Sequence, residues 1–428
     1  MARFREVLAE KNFFCLWLGQ IISNFGDRLN QMALIGFVSQ RMPLSTYELA
    51  KLMLFSVIPV FVIGPIAGAY VDRLNRRHIM IIADVARGFL VLLIPFAITH
   101  TRSNIPIYII VFLTFSLARF FVPSKMAIIP TLVPREKLLA ANSLSDTTFM
   151  IAGVLGIGVA GIVVKLVGVL GGFYIDSASF FMSATLISFI RPKGDVAATY
   201  RQDLKLVGKA FSGSIQKPVW VQVKEGLQFI VSYPKARFVM NTLFLLMAGA
   251  GAIFCVIIVF IQEQFGTITT DLGLLGMFLG AGLFCGALLY GRFGQRLEKP
   301  TVILSSLVLS GIGVTLFATL IPRFPRYSVA GAIAVFIGAV ISPVIVSLNT
   351  LVHETIPDEM RGRIFSSQEI VIHIAFLLFM FLTSILAEHI ARQWILVGCG
   401  VVFASMGLTG LGLRYAKRRA FCGGTSGS

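Results

Sequence analysis

The feature that most constrains this chain is the recurrence of apolar stretches, each about 20 residues long, between short polar segments. An α-helix of that length crosses the hydrocarbon core of a bilayer and satisfies its own backbone hydrogen bonds there. Only 13% of the residues are charged, whereas soluble domains carry about 25%. The sequence therefore predicts an all-α membrane protein and excludes a large soluble core.

The apolar stretches fall into two sets of six candidate transmembrane helices. The first set covers 12–38, 47–70, 78–99, 105–125, 143–168 and 172–190. The second set covers 238–262, 271–291, 300–321, 328–350, 364–387 and 393–413.

This arrangement predicts four regions along the chain. They are an N-terminal six-helix bundle (1–190), a linker (191–237), a C-terminal six-helix bundle (238–414) and a tail (415–428). Within the linker, the stretch from Pro218 has the periodicity of an amphipathic helix, which would lie on the membrane surface or pack on the bundle. The last residues of the tail, GGTSGS, resemble a cloning scar.

The net charge of +17 is distributed in a way that indicates a membrane rather than nucleic acid. Loops rich in Lys and Arg alternate with loops poor in them, as the positive-inside rule requires. We therefore expect a multi-pass protein of the inner (plasma) membrane, with both termini and the linker cytoplasmic. The sequence contains no phosphate loop, nucleophile elbow, HExxH or CxxC, so we expect neither an enzyme nor a resident cofactor or metal.

Two loops repeat along the chain at the same spacing. "GAYVDRLNRR" from Gly68 aligns with "GRFGQRLEKP" from Gly291, and the same offset aligns "LVPREKLLAANS" from Leu132 with "TIPDEMRGRIFS" from Thr355. Two such matches predict two halves of the same fold and orientation. A parallel repeat of this kind is typical of alternating-access transporters, which bind substrate near the midplane between the halves.

The loop from Gly68 resembles the major facilitator signature G-x-x-x-D-R-x-G-R-[KR], with Asn75 in place of the second glycine. The residues that carry this resemblance, with their counterparts in the repeat, are Gly68, Asp72, Arg73, Arg76, Arg77, Gly291 and Arg296. The resemblance implies a fold of twelve transmembrane helices. It also implies that Asp72 and Arg73 gate the cytoplasmic side. For Arg76 and Arg77 we expect the role of positive-inside anchors.

Two further stretches narrow the resemblance to one branch. "ARFFVPSKMAIIPTLVPREKLLAANSL" from Ala118 and "FYIDSASFFMSATLI" from Phe173 are similar to the macrolide-efflux branch of the drug:proton antiporters, to which an enterobactin-exporter-like group is related. The Gly-Pro step that such antiporters usually carry in the fifth helix is absent from this sequence. In the family that the chain resembles, the first and fourth helices of each half line the cavity.

Ionisable groups within apolar spans are costly at bilayer depth and therefore indicate function. Gln20, Asn24, Asp27 and Gln31 are spaced by four, three and four residues, so they share one helix face. We expect this polar stripe to line the transport pathway, together with Arg119 on the fourth span. Arg28 lies about 100° around the helix from Asp27, so we expect it to be structural.

For the other charged groups in the spans, a structural role is at least as well supported as a role in transport. Asp84 and Arg87 are spaced i, i+3 and are expected to form a structural pair. Asp176 is expected to make a structural hydrogen bond. Glu369 and His373 are spaced i, i+4 and form either a proton-coupling pair or an interhelical hydrogen bond.

These features together predict a monomeric secondary transporter that contacts membrane lipids. It would export a hydrophobic or amphipathic small molecule (drug, macrolide or siderophore-like), driven by the proton gradient and without a cofactor. Three alternatives stay open. They are a ferroportin-like exporter of divalent metal that uses Asp27, His353 and Glu354, a lysophospholipid transporter, and a non-transporting membrane sensor.

Overall fold

The computed structural model describes residues 4–64, 67, 75–191, 234–294, 297–355 and 361–423, and their regular secondary structure is helical. The short helix α1 (Phe4–Leu8) comes first. The remaining helices of the first half are α2 (Lys11–Arg41), α3 (Thr46–Val62), α4 (Arg76–His100), α5 (Ile105–Leu132) and α6 (Leu138–Ser188). Those of the second half are α7 (Pro234–Phe265), α8 (Ile268–Phe293), α9 (Lys299–Leu320), α10 (Tyr327–Thr355), α11 (Arg361–Leu386) and α12 (Arg392–Gly423).

Over the described residues each predicted span falls on one of these helices, and α6 contains two of them. Most of the end of the second predicted span (47–70) lies outside the described residues. Helix α6 is interrupted at Gly168, whose φ of 78° and ψ of 169° are accessible essentially only to glycine. Among the described residues, eight helical segments are long and apolar enough to cross a membrane. The all-α membrane architecture is thus confirmed, while the number of twelve crossings stays a prediction.

The internal repeat extends from the two loops to the helices themselves. Helices α4 and α9 begin at Arg76 and Lys299, and these starting residues have the spacing of the two repeated loops. At that spacing Gly168, where α6 breaks, corresponds to the turn between α11 and α12. The two halves therefore share one order of helices.

The chain divides into two compact units. One comprises Met1–Pro43 and Lys51–Gln216, and the other comprises Leu44–Ala50 and Lys217–Ser428. In the first unit α2 packs along α6, and α4 packs on both α5 and α6. In the second unit α7 packs on α11, α8 on α10, and α9 on α12. The boundaries of the predicted regions differ from these units and stay a prediction.

Small residues set the closest helix contacts in the second unit, as is common in membranes. A Cβ atom on Gly251 of α7 would lie 2.1 Å from the carbonyl oxygen of Phe376 in α11. A Cβ atom on Gly311 of α9 would lie 2.3 Å from the carbonyl oxygen of Gly400 in α12. These two pairs of helices are consequently held at nearly backbone contact.

Candidate functional site

The polar stripe predicted on α2 lies at the side of the first unit where α2 meets α4 and α6. Gln20 is buried, and Asn24, Asp27 and Gln31 are partly buried. Gly19 and Gly26, seven residues apart, face α6 from the same helix. A Cβ atom on Gly26 would lie 1.9 Å from Ser179 Oγ and 2.5 Å from Asp176 Oδ1. Glycine is required here because α2 and α6 approach so closely.

Arg87 of α4 is the centre of the charged groups in this unit. Its Nη2 donates to Asp27 Oδ1 at 2.6 Å, and its Nη1 lies 3.8 Å from Asp84 Oδ1. The guanidinium also lies 4.0 Å from the centre of the Phe180 ring, a cation–π distance. The predicted pair of Asp84 and Arg87 is present, but it is the longer of the two ion pairs that Arg87 makes.

Asp84 is completely buried and only partly satisfied. Its Oδ2 accepts a hydrogen bond from Ser183 Oγ at 2.6 Å, whereas its Oδ1 is buried and has no hydrogen-bond partner. A buried carboxylate oxygen without a donor is costly in a low-dielectric interior. The nearest cation to that oxygen is Arg87, so Arg87 lies between one carboxylate that it bonds and another that it only approaches.

Asp176 of α6 is a third buried carboxyl in the same region. Its Oδ2 accepts from Asn30 Nδ2 at 2.6 Å, and Ser179 Oγ donates to its backbone carbonyl oxygen at 2.7 Å. These contacts are hydrogen bonds between α2 and α6 and within α6. The structural role predicted for Asp176 agrees with this geometry, although the role itself stays a prediction.

Arg119 of α5 completes the group of charges. It lies close enough to Asp27 and Arg87 to interact with both electrostatically, and its Nε is buried without a hydrogen-bond partner. Two guanidiniums therefore accompany three carboxyl groups, those of Asp27, Asp84 and Asp176. Asp27 is the accessible member of the carboxyl set, because 38% of its side chain is exposed.

Arg28 faces away from these charges, as its position around α2 predicts. Its Nη1 donates to Gln31 Oε1 at 3.0 Å, and its side-chain Cγ lies against Gly156 of α6. Gln31 thus bonds to Arg28 rather than to the other members of the stripe. The side-chain nitrogen of Gln20 is buried without a partner.

Part of the predicted site lies outside the described residues. This applies to Gly68, Asp72, Arg73 and Arg296 of the gating motif and to the side chains of His353, Glu354 and Glu369. His373 is described and partly buried in α11, and Gly291 lies in the last turns of α8. The predicted partnership of Glu369 with His373 and the gating roles therefore stay predictions.

The described end of the signature loop shows how Asn75 functions in place of glycine. Its side chain accepts from the backbone N–H groups of Arg77 and His78 and so caps α4. Arg76 Nη1 donates to the carbonyl oxygen of Ala127, and Arg77 Nε donates to that of Ile187. The two arginines tie the start of α4 to α5 and α6, and their expected role as positive-inside anchors stays a prediction.

Asn30, Ser179 and Ser183 belong to the site but were not predicted from the sequence. The spacing of the polar stripe selects Gln31 and not its neighbour Asn30, so Asn30 was assigned to no site. The signal that could have identified this face is the pair Gly19 and Gly26, which marks the side of α2 that approaches another helix. Among the described residues, no group of three His, Cys, Asp or Glu side chains is arranged to hold a metal ion.

The family model described as "Transmembrane secretion effector", within the major facilitator superfamily, matches residues 6–420. The chain belongs to this family. It is a major facilitator transporter and not an enzyme, and the predicted resemblance is confirmed.

Similarity to individual proteins is lower but extends over most of the chain. The transporter is 25% identical to the uncharacterized MFS-type transporter YfiS of Bacillus subtilis (strain 168), over 96% of this chain and 95% of the relative. It is 24% identical to macrolide efflux protein A of Streptococcus pyogenes, over 90% and 92%. A bacterial homologue of the iron transporter ferroportin, crystallised in an inward-facing state, has the same fold, with a TM-score of 0.70 at 14% identity and coverage of 93% and 98%.

Proposed function

We propose that this transporter exports an amphipathic or hydrophobic organic molecule in exchange for protons, and that Asp27, Arg87 and Asp84 couple the two fluxes. The observation that carries the proposal is the position of Arg87 between two carboxylates, 2.6 Å from one and 3.8 Å from the other. A cation with two alternative partners is an element with two stable arrangements, which is what coupled transport requires.

The proposed cycle begins at the carboxylate that solvent can reach. When Asp27 takes up a proton, its ion pair with Arg87 is lost, and Arg87 is left as a buried cation. Such a cation is costly at bilayer depth, so it moves toward the unpartnered Oδ1 of Asp84. That movement exchanges a contact between α2 and α4 for a contact within α4. Loss of the proton from Asp27 reverses the exchange.

Other charged groups set the field in which this exchange occurs. Arg119 on α5 interacts with both Asp27 and Arg87, and Asp176 on α6 lies in the same region, bonded to Asn30 of α2. A bound substrate cation near Asp27 would compete with the proton, because both neutralise the same carboxylate. Competition of this kind makes the export of a cationic substrate and the entry of a proton mutually dependent.

The substrate class follows from composition and from the named relatives. The chain contains 37 Phe and only 13% charged residues, which suits an apolar cargo better than a sugar. The relative from S. pyogenes is named for macrolide efflux. We place the transporter in the inner membrane as a monomer, with both termini cytoplasmic as the positive-inside rule indicates.

The proposal is tested by reconstituting the protein in vesicles and measuring the flux of tetraphenylphosphonium, a hydrophobic cation, with and without a pH gradient. We expect gradient-dependent accumulation by the unmodified protein and none by Asp27→Asn. The matched control is Glu298→Gln, which removes an acid from a surface ion pair with Arg414 at 3.4 Å. Flux that ignores the gradient, or that Asp27→Asn leaves unchanged, would refute the proposal.

A further inference from the structure

Within the second unit, α7, α11 and α12 surround a cavity of about 620 Å³. Its walls are aromatic and aliphatic, and include Phe244 of α7, Phe379 of α11, and Trp394 and Phe403 of α12. Thr383 is the one hydroxyl residue in the lining, and its Oγ donates to the carbonyl oxygens of Ala252 and Phe379. None of the described residues that line the cavity carries a charge.

The cavity follows from how the helices around it pack. Helix α7 is held against α11 at Gly251, and α12 is held against α9 at Gly311 and Gly400. Because α7 and α12 are each held close to a different neighbour, they separate from one another. They meet where the ring of Phe403 lies over Gly249, at a spot where an added Cβ would be 1.9 Å from the ring. The remaining gap between them is the cavity.

The cavity is continuous with the surface that faces the bilayer. Three of its lining residues are well exposed, namely Phe244 (41%), Trp394 (65%) and Val402 (50%). All three lie in helical segments apolar enough to cross a membrane. In the family pattern α7, as the first helix of its half, borders the transport pathway, whereas α12 does not. The exposed apolar side chain of Val402 on α12 therefore contacts lipid tails. Trp394 lies near the start of α12, where tryptophan commonly marks the membrane interface.

We propose that this cavity holds one acyl chain of a bilayer phospholipid as a resident ligand. Its volume lies within the range of about 300–1,000 Å³ that is typical of small-molecule sites. A polar drug would find almost no hydrogen-bond partner in these walls and would lose those that it makes with water. A hydrocarbon chain makes no hydrogen bonds with water that it could lose. In the cavity it makes van der Waals contacts with walls that would otherwise have no partner atoms. The proposal does not depend on proton coupling.

A bound acyl chain would affect the packing of the second unit. An acyl chain lodged between α7 and α12 fills the gap that their other contacts leave, and so fixes their separation. Lipids whose chains fit this gap would stabilise the second unit, whereas lipids whose chains do not fit would leave it under-packed.

The chain offers a matched pair of variants to test the proposal. Gly398 lines the cavity, and a Cβ atom there would meet nothing within 4 Å. Gly412, on the same helix, also has open space at its Cβ position but does not line the cavity. Gly398→Phe therefore fills the cavity without a backbone clash, and Gly412→Phe adds the same side chain elsewhere. Gly398→Leu is a smaller replacement if the phenylalanine variant fails to fold.

The probe is a phosphatidylcholine with a photoreactive diazirine near the end of one acyl chain, added to vesicles that contain the full-length protein. Labelled residues are located by peptide mass spectrometry. In the unmodified protein we expect Leu245, Phe379 and the residues around Gly398 to be labelled several-fold more than the lipid-exposed face of α4. Gly398→Phe should reduce the cavity labelling to the level of α4, and Gly412→Phe should leave it unchanged.

Three outcomes would overturn the proposal. One is cavity labelling no greater than that of α4 in the unmodified protein, which indicates ordinary bilayer contact and needs no variant to measure. The other is strong cavity labelling that tetraphenylphosphonium displaces under transport conditions, which assigns the cavity to the cargo. Retention of the labelling in a folded Gly398→Phe protein would place the bound chain elsewhere and would equally contradict the assignment.

Discussion

Arg87 bonds Asp27 of another helix at 2.6 Å, while Asp84, one turn away in its own helix, is 3.8 Å distant. The shorter ion pair therefore connects α2 to α4, and the longer one lies within α4. Arg87 is 7% exposed and Asp84 is fully buried, so water weakens the longer pair little, whereas the 38% exposure of Asp27 lets water screen part of the shorter pair.

Removing the shared cation should destabilise the first unit. Arg87→Leu leaves Asp27 and the buried Asp84 without a counter-charge, a change that typically costs about 3–5 kcal/mol. We expect a clearly lower thermal midpoint for the purified protein. Arg87→Lys is the control, since it retains the charge but loses the planar contact with Phe180. A midpoint unchanged in Arg87→Leu would show that the ion pairs do not support the fold.

Asp84→Asn should separate binding from coupled transport. The variant retains the pair of Asp27 with Arg87 but removes the second position that Arg87 can occupy. We expect tetraphenylphosphonium to bind with nearly unchanged affinity, while accumulation driven by a pH gradient falls at least several-fold. Full accumulation in Asp84→Asn would mean that Arg87 does not need Asp84 as an alternative partner.

Gly26→Ala should force α2 and α6 apart. The added Cβ would lie 1.9 Å from Ser179 Oγ, and such overpacking commonly costs about 1–3 kcal/mol. We expect a lower yield of folded protein and a lower thermal midpoint. Gly153→Ala in α6 is the matched control, because a Cβ atom there meets nothing within 4 Å. Equal behaviour of the two variants would contradict the close packing described here.

Gly168→Ala should destabilise the break in α6 through the backbone alone. A Cβ atom at this position has free space, but the φ of 78° and ψ of 169° are unfavourable for alanine by about 1–3 kcal/mol. We expect a reduced thermal midpoint without loss of any side-chain contact. A variant as stable as the unmodified protein would indicate that the two parts of α6 can join in another conformation.

Divalent metal should bind poorly at Asp27, because a metal ion would have to displace Arg87 from it. The described residues contain no cluster of three metal-ligating side chains. We expect calorimetry with Fe²⁺, Mn²⁺ or Zn²⁺ to give no saturable heat that Asp27→Ala removes. Stoichiometric heat that disappears in Asp27→Ala would instead favour the metal-export alternative.

The helices were predictable because hydropathy and length are strong signals in a membrane protein. Over the described residues all predicted spans fall on helices, and the repeat seen in two loops extends to the first residues of α4 and α9. Helix α5 ends at Leu132, beyond the predicted end at 125. Lys125 and two prolines reduced the apparent length of this span, although a transmembrane helix tolerates internal proline.

The partners of the charged side chains were less predictable, because they depend on helix packing. Spacing along one helix correctly paired Asp84 with Arg87, yet the shorter bond joins Arg87 to Asp27, far away in the sequence. Gly19 and Gly26 let α2 approach α6 closely, which buries Asn30 beside Asp176, a second contact that spacing along one helix does not reveal. Periodicity identifies the polar face of a helix but not the neighbour that the face contacts.

The release of protons on substrate binding tests the coupling proposal most directly. The purified protein, at a pH low enough for Asp27 to have taken up its proton, is mixed with tetraphenylphosphonium in weakly buffered solution, and the pH change is read with an indicator dye. We predict that the unmodified protein releases protons in proportion to the amount of cation bound, whereas Asp27→Asn binds without release. Saturable binding with no proton release by the unmodified protein, or equal release by Asp27→Asn, would contradict the exchange at Asp27.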